Sequence, residues 1–153
     1  MQNRRQMDFQ LHVRKPKELL NYLIDSLSTE SFISFEGDLS KIEQSEHVYS
    51  NEEKGNFKRN TKTPKQDFWI FKLDLETKKF LKSDFLNRVG IRKNVIHVLA
   101  GTEDKIVFAA HDNFDQECVS LSKSEVFGNH FIGKMTQEKI IEKGKSTSTQ
   151  HRL

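Results

Sequence analysis

One cysteine, Cys118, stands in a chain of 153 residues. No intrachain disulfide can form, and a reducing, intracellular compartment is the simplest expectation, with the cytoplasm as the location. No run of apolar residues approaches the roughly 18–20 needed to span a bilayer, so no membrane role is expected. The opening Met1-Gln2-Asn3-Arg4-Arg5 is basic, but no apolar stretch follows it, which argues against a secretory signal. The phosphate-cradling Gly-x-x-x-x-Gly-Lys-Ser/Thr is missing, as are Gly-x-Gly-x-x-Gly and His-Glu-x-x-His. No Gly-x-Ser-x-Gly elbow occurs either. The seven glycines are scattered at the ends of predicted elements, which is structural usage. These absences weigh against an enzyme without excluding one, because many active sites leave no local signature. Charge of one sign is also scarce: the formal net charge is only +3, so electrostatic recognition must come from local clustering.

What the chain does have is phenylalanine, twelve of them, in a sequence 35% hydrophobic and 31% charged. Aromatic side chains bury large areas each, and this length suffices for one real core. The spacing predicts an α+β fold: a small single domain with an antiparallel or mixed sheet, two to three packed helices and a long polar loop. Phe9, Leu11 and Val13 alternate as in a short strand, within a segment 1–12 read as flexible. Pro16 opens a helix over 16–28, with Leu19, Leu20, Leu23, Ile24 and Leu27 on one stripe. Ser31 to Glu36 alternates as a strand ending at Gly37. Phe68-Trp69-Ile70-Phe71 is near-continuously apolar and reads as a strand buried on both faces, within 67–74. Residues 76–89 read as helical, broken near Ser83, with Ser83 or Asp84 capping a last segment and Gly90 in a left-handed terminal position. Residues 95–99 and 106–110 form a hairpin around Gly101-Thr102-Glu103-Asp104. A turn at 112–116 leads to a short strand at 118–121. Thr136 is expected to cap a helix carrying Ile140 and Ile141 and ending at Gly144. The domain is therefore placed at 13–144, with a disordered tail at 145–153.

Between the two best core segments lies a polar stretch, 44–66, in which disorder is expected apart from a short strand at Val48 and Tyr49 and a turn at Lys54-Gly55 leading to Phe57. Its basic part holds Lys54, Lys58, Arg59, Lys62 and Lys65, with Phe57 the one large apolar side chain. Those cations could neutralise phosphates, Asn56, Asn60, Thr61 and Thr63 could add neutral hydrogen bonds, and Phe57 could stack on a base. Arg4, Arg5 and Arg14 could assist. The plainer account is a solvated surface loop.

His111-Asp112-Asn113-Phe114-Asp115-Gln116-Glu117-Cys118 is the densest group of potentially reactive side chains. His111, Asp112, Glu117 and Cys118 are the weak catalytic candidates, for a metal-dependent hydrolase or nuclease. No defined metal spacing accompanies them, so no metal or cofactor is expected, and an Asp/Asn-rich turn explains the composition. Cys118 as a nucleophile would need His97, His111 or His130 beside it. A lone cysteine next to Val119 and Leu121 is more simply a small buried hydrophobe, and His97 in an apolar strand a satisfied core residue. Glu103-Asp104-Lys105 falls at the hairpin tip, where charge is expected anyway.

The leading expectation is a non-catalytic interaction module, an inhibitor, adaptor or immunity-type protein whose partner is another protein. The alternatives are nucleic-acid binding through residues 54–65 and the metal-dependent enzyme at 111–118.

Overall fold

The computed structural model describes residues 7–43 and 45–146. Eight strands form one sheet: β1 Phe9–Val13, β2 Phe32–Gly37, β3 Val48–Ser50, β4 Asp67–Lys72, β5 Val95–Gly101, β6 Ile106–Ala110, β7 Val119–Leu121 and β8 Ile141–Ser146. Their order is β3-β4-β2-β5-β6-β7-β1-β8, and every neighbouring pair is antiparallel. The helices are α1 Pro16–Ser26, α2 Leu75–Phe80, α3 Leu86–Arg88 and α4 Asn129–Gln137, with a π-helical turn Leu81–Phe85 joining α2 to α3. The fold is thus a small α+β domain on an antiparallel sheet. Among the described residues no helix is long and apolar enough to cross a membrane.

The sheet has a helix face and a loop face. On the helix face, Leu19, Leu20, Leu23 and Ile24 of α1 meet Ile33, Phe35, Trp69 and Phe71 in one apolar cluster. Phe85 of the π turn lies 4.8 Å from Phe35 and 5.3 Å from Phe71 between ring centroids. The wider π winding turns Leu81, Phe85 and Leu86 inward together. Helical winding therefore continues through Ser83, whose hydroxyl donates to the Lys79 carbonyl at 2.7 Å rather than capping a new segment. Asp74 is the cap that does form, accepting the Thr77 amide at 2.9 Å. Gly90 does not adopt a left-handed conformation; the positive-φ glycines are Gly37, Gly55 and Gly101.

On the loop face a second cluster joins Phe32, Phe68 and Ile70 to Phe57, from the polar stretch between β3 and β4. This is why β2 is buried at all six positions rather than at alternate ones. Within residues 45–66 the segment is accordingly anchored at Phe57, its buried side chain. Gly55, at φ 56°, turns the chain so that Lys54 and Phe57 exchange backbone hydrogen bonds. Asn56 reaches the β5–β6 hairpin tip through the Glu103 carbonyl at 3.4 Å and the Asp104 carbonyl at 2.9 Å. One buried phenylalanine contributes about 1.5–3 kcal/mol toward anchoring the segment, to which these bonds add.

The C-terminal part departs most from expectation. The helix lies at Asn129–Gln137, where Phe131 and Met135 point inward, and Ile141 begins strand β8 instead of continuing a helix. Thr136 caps nothing; its hydroxyl donates to the Ile132 carbonyl at 2.8 Å. β8 pairs with β1, setting Lys145 opposite Gln10 and Lys143 opposite His12. Residues 9–12 and 145–146, expected to be flexible, therefore belong to the sheet, because each segment supplies the backbone partner the other lacks. The rest of the expected tail, 147–153, and residues 1–6 lie outside the described residues.

Candidate functional site

A row of polar residues crosses the loop face. Register pairs Glu36 of β2 with His97 of β5. The β5–β6 ladder pairs Val98 with Ala110, so one step further sets His97 beside His111. The β6–β7 ladder pairs Ala110 with Val119, so the next step sets His111 beside Cys118, whose carbonyl accepts the His111 amide at 2.9 Å.

Glu36 is only 2% exposed, so its carboxylate must find donors inside the protein. Oε1 accepts the Asn60 amide at 2.8 Å and Oε2 accepts the Thr61 amide at 3.0 Å. The basic loop is thereby clamped to the sheet by charge-assisted bonds.

His97 is 3% exposed. Its Nδ1 lies 3.1 Å from His111 Nδ1 and 3.4 Å from the Asp112 amide nitrogen, while its Nε2 lies 2.8 Å from Thr61 Oγ1. The amide can only donate, so His97 Nδ1 is the acceptor and Nε2 carries the proton. His111 then donates its Nδ1–H to His97, and Thr61 accepts from His97. Burial holds the His97 imidazole below its ordinary pKa, against the opposing charges of Glu36 and Asp112. The ring is a neutral strut between loop and turn.

The turn after β6 is wound left-handed over three residues, with φ of 53° at Asp112, 57° at Asn113 and 63° at Phe114. Asn113 secures it to β5 by donating Nδ2 to the Val95 carbonyl at 2.8 Å, and the Phe114 ring is buried against Phe108. Cys118 Sγ donates to Asp112 Oδ2 at 3.6 Å. Burial pushes the thiol pKa up, helped by that hydrogen bond and by the charges of Asp112, Asp115 and Glu117, which disfavours the thiolate a nucleophile needs.

Of the four weak catalytic candidates, His111, Asp112 and Cys118 are thus gathered around one turn. Glu117 stays exposed, its amide donating to Asp115 Oδ1 at 3.0 Å. His130 lies on α4, in a groove with Lys134 and Glu138. Among the described residues no group of three His, Cys, Asp or Glu side chains is arranged to hold a metal ion.

The basic-loop residues divide into two sets. Lys54, Lys58, Lys62 and Lys65 are exposed. Phe57 is 1% exposed, with its ring 6.0 Å from that of Phe32, so it is a plug rather than a stacking platform. Arg59 is half-buried, donating from Nη1 to the Gln66 carbonyl and lying 5.2 Å over the Phe68 ring. Lys54 stands 5.8 Å over Tyr49. Arg14 is exposed beyond β1, and Arg4 and Arg5 lie outside the described residues. The sequence assigned Glu36 no role in a site, and gave Thr61 a hydrogen bond to a nucleic-acid backbone rather than to Glu36 and His97. The available signal was a carboxylate inside the apolar run Phe32-Ile33-Ser34-Phe35-Glu36, where a charge needs a dedicated partner.

No family model, curated protein or solved structure matches this chain.

Proposed function

We propose that this protein is a non-catalytic interaction module that acts in a reducing, intracellular compartment and contacts an acidic macromolecule through its basic loop. The observation that supports this is the loop's construction. Its plug, Phe57, and its clamp, Glu36, are buried, while Lys54, Lys58, Lys62 and Lys65 stay at the surface. A cationic segment fixed before contact loses little conformational freedom on binding, and its charges speed encounter. What such a loop reads is negative charge, which an acidic protein face and a phosphate backbone both present.

The test is capture from lysate with the wild-type chain and with the Lys58→Glu, Lys62→Glu, Lys65→Glu variant, each with and without nuclease. A stoichiometric partner lost by the variant at unchanged thermal stability is the expected result. A variant that retains the partner at wild-type yield overturns the proposal.

A further inference from the structure

We infer that a groove along the free edge of β4 takes up an extended segment of a partner protein as an added strand, with an acidic side chain of that segment against Arg59 and Lys65. This rests on reading the chain as an interaction module with a basic loop, and it names the form in which the partner is bound.

β3 stops short of its neighbour. Its last residue, Ser50, stands opposite Ile70, so Asp67, Phe68 and Trp69 of β4 have no strand on that side. The Ser50 hydroxyl accepts the Glu52 amide at 3.0 Å and donates to the Glu52 carbonyl at 2.9 Å, a turn that takes the chain off the sheet. A groove of about 460 Å³ opens there, lined by those three residues of β4. Alternate residues of a strand turn N–H and C=O to the same side, so at least one of the three directs both groups into the groove. Leu39 and Ile42 wall it with Trp69 on the helix face, and Arg59 and Lys65 wall it with Phe68 on the loop face. The two ends of the described chain lie elsewhere. β1 enters and β8 leaves the sheet at the level of Phe71, the end away from Asp67. They stand five and six places from β4, about 24 and 29 Å across the sheet at ordinary strand spacing. Six or seven residues reach at most about 20–25 Å, so neither end of the chain is placed to fill the groove.

An unpaired strand edge offers donors and acceptors together. A phosphate backbone accepts but does not donate, and would leave the β4 carbonyls unsatisfied, whereas a peptide backbone answers both groups. Side chains of an added strand alternate between faces. Those on the helix face meet Leu39, Ile42 and Trp69, and apolar residues suit that wall. Those on the loop face meet Arg59 and Lys65, neither of which joins an ion pair among the described residues. Arg59 uses one donor on the Gln66 carbonyl and lays its guanidinium over Phe68. Five donors on that group leave enough to hold a carboxylate. The groove's own carboxylates do not compete for it. Asp67 Oδ2 accepts the Leu39 amide at 2.9 Å, and Glu52 stands at the other end, where β3 stops. The segment that fits is therefore apolar and acidic by turns.

The test is fluorescence anisotropy with labelled Gly-Val-Glu-Val-Glu-Val-Gly, its counterpart with Lys in place of Glu, two analogues N-methylated at the Val or at the Glu residues, and labelled polyglutamate. The glutamate peptide should bind and the lysine peptide should not. Each N-methylated analogue blocks one edge of the peptide, so one of the two should bind weaker by roughly fivefold or more. Arg59→Gln and Lys65→Glu should each weaken the glutamate peptide by roughly fivefold or more. Lys65 is exposed, so its variant gives a readout even if Arg59→Gln unfolds. Hydrogen exchange of the wild type should slow within residues 67–69 when the glutamate peptide is added. Two N-methylated analogues that bind as the parent, or exchange unchanged at 67–69, overturn the inference. Polyglutamate binding without peptide binding overturns it while leaving the basic loop as a reader of negative charge. Binding of neither removes both readings.

Discussion

At Glu36 a carboxylate sits where the neighbouring residues of its strand are apolar or small, and both of its oxygens are occupied by amides of the loop opposite. Glu36→Gln keeps the shape but replaces one acceptor by a donor, which then faces an N–H. The cost should be about 1–3 kcal/mol in chemical denaturation, the penalty of a buried group left unsatisfied. A loss below about 0.5 kcal/mol would mean that Phe57 alone holds the loop. His97 adds a pH dependence whose sign follows from its environment. Its pKa is lowered in the folded state, chiefly by burial, so the unfolded chain takes up the proton first as pH falls. The stability contributed by neutral His97 is therefore complete above about pH 6.5, the ordinary imidazole value, and is lost as pH drops toward the lower folded value. Urea unfolding at neutral and mildly acid pH should show a smaller acid loss in His97→Gln than in wild type. Equal losses in the two proteins would show that other groups carry the titration.

At the scale of elements, the turn between β6 and β7 holds three consecutive left-handed residues, one of them the bulky Phe114. Such positions cost of order 1–3 kcal/mol each unless the surroundings enforce them. Here the enforcement is the Asn113 side chain on the Val95 carbonyl and the buried Phe114 ring. Asn113→Ala removes the first and places a residue less tolerant of the left-handed region. We expect a loss of about 1–3 kcal/mol in thermal or chemical unfolding. Elements that bury their own local pattern were legible in the sequence: the leucine stripe of α1, the apolar run of β4, and the β5–β6 hairpin with its four-residue connection. Elements whose stability comes from distant partners were not. Ile141–Ser146 carries one apolar side chain and two lysines, and it is a strand only because β1 offers it a free edge. α4 shows just Phe131 and Met135 on its inner face, interrupted by Gly133, too sparse a stripe to read in advance. The candidate site was half legible for the same reason. His111, Asp112 and Cys118 stand within eight residues, whereas the Glu36, Thr61 and His97 cluster exists only after three separate segments have met.

The described residues form a sheet with one face packed under helices and the other carrying, over β2 and β4, a loop plugged by Phe57. The first and last strands contribute to its far side, since β1 sits between β7 and β8. A chain ending at Lys139 would lose β8 and take the buried Ile140 and Ile141 out of the core. At about 2–5 kcal/mol for each large aliphatic side chain removed, that truncation should approach or exceed the total stability of a small domain. Circular dichroism of the purified fragment is the check: a cooperative transition near that of the full chain would contradict this placement of β8.

The pairing of β1 with β8 also sets an order of events during synthesis. Val13 meets Ile141 only after almost the whole described chain has been made. Until then β1 has an unfilled hydrogen-bonding edge. A ladder between such distant segments closes slowly, because its loop entropy is lost before its contacts form. A nascent chain stalled before residue 141 should therefore be the form most in need of a chaperone, however well its first helix and central hairpin have already folded.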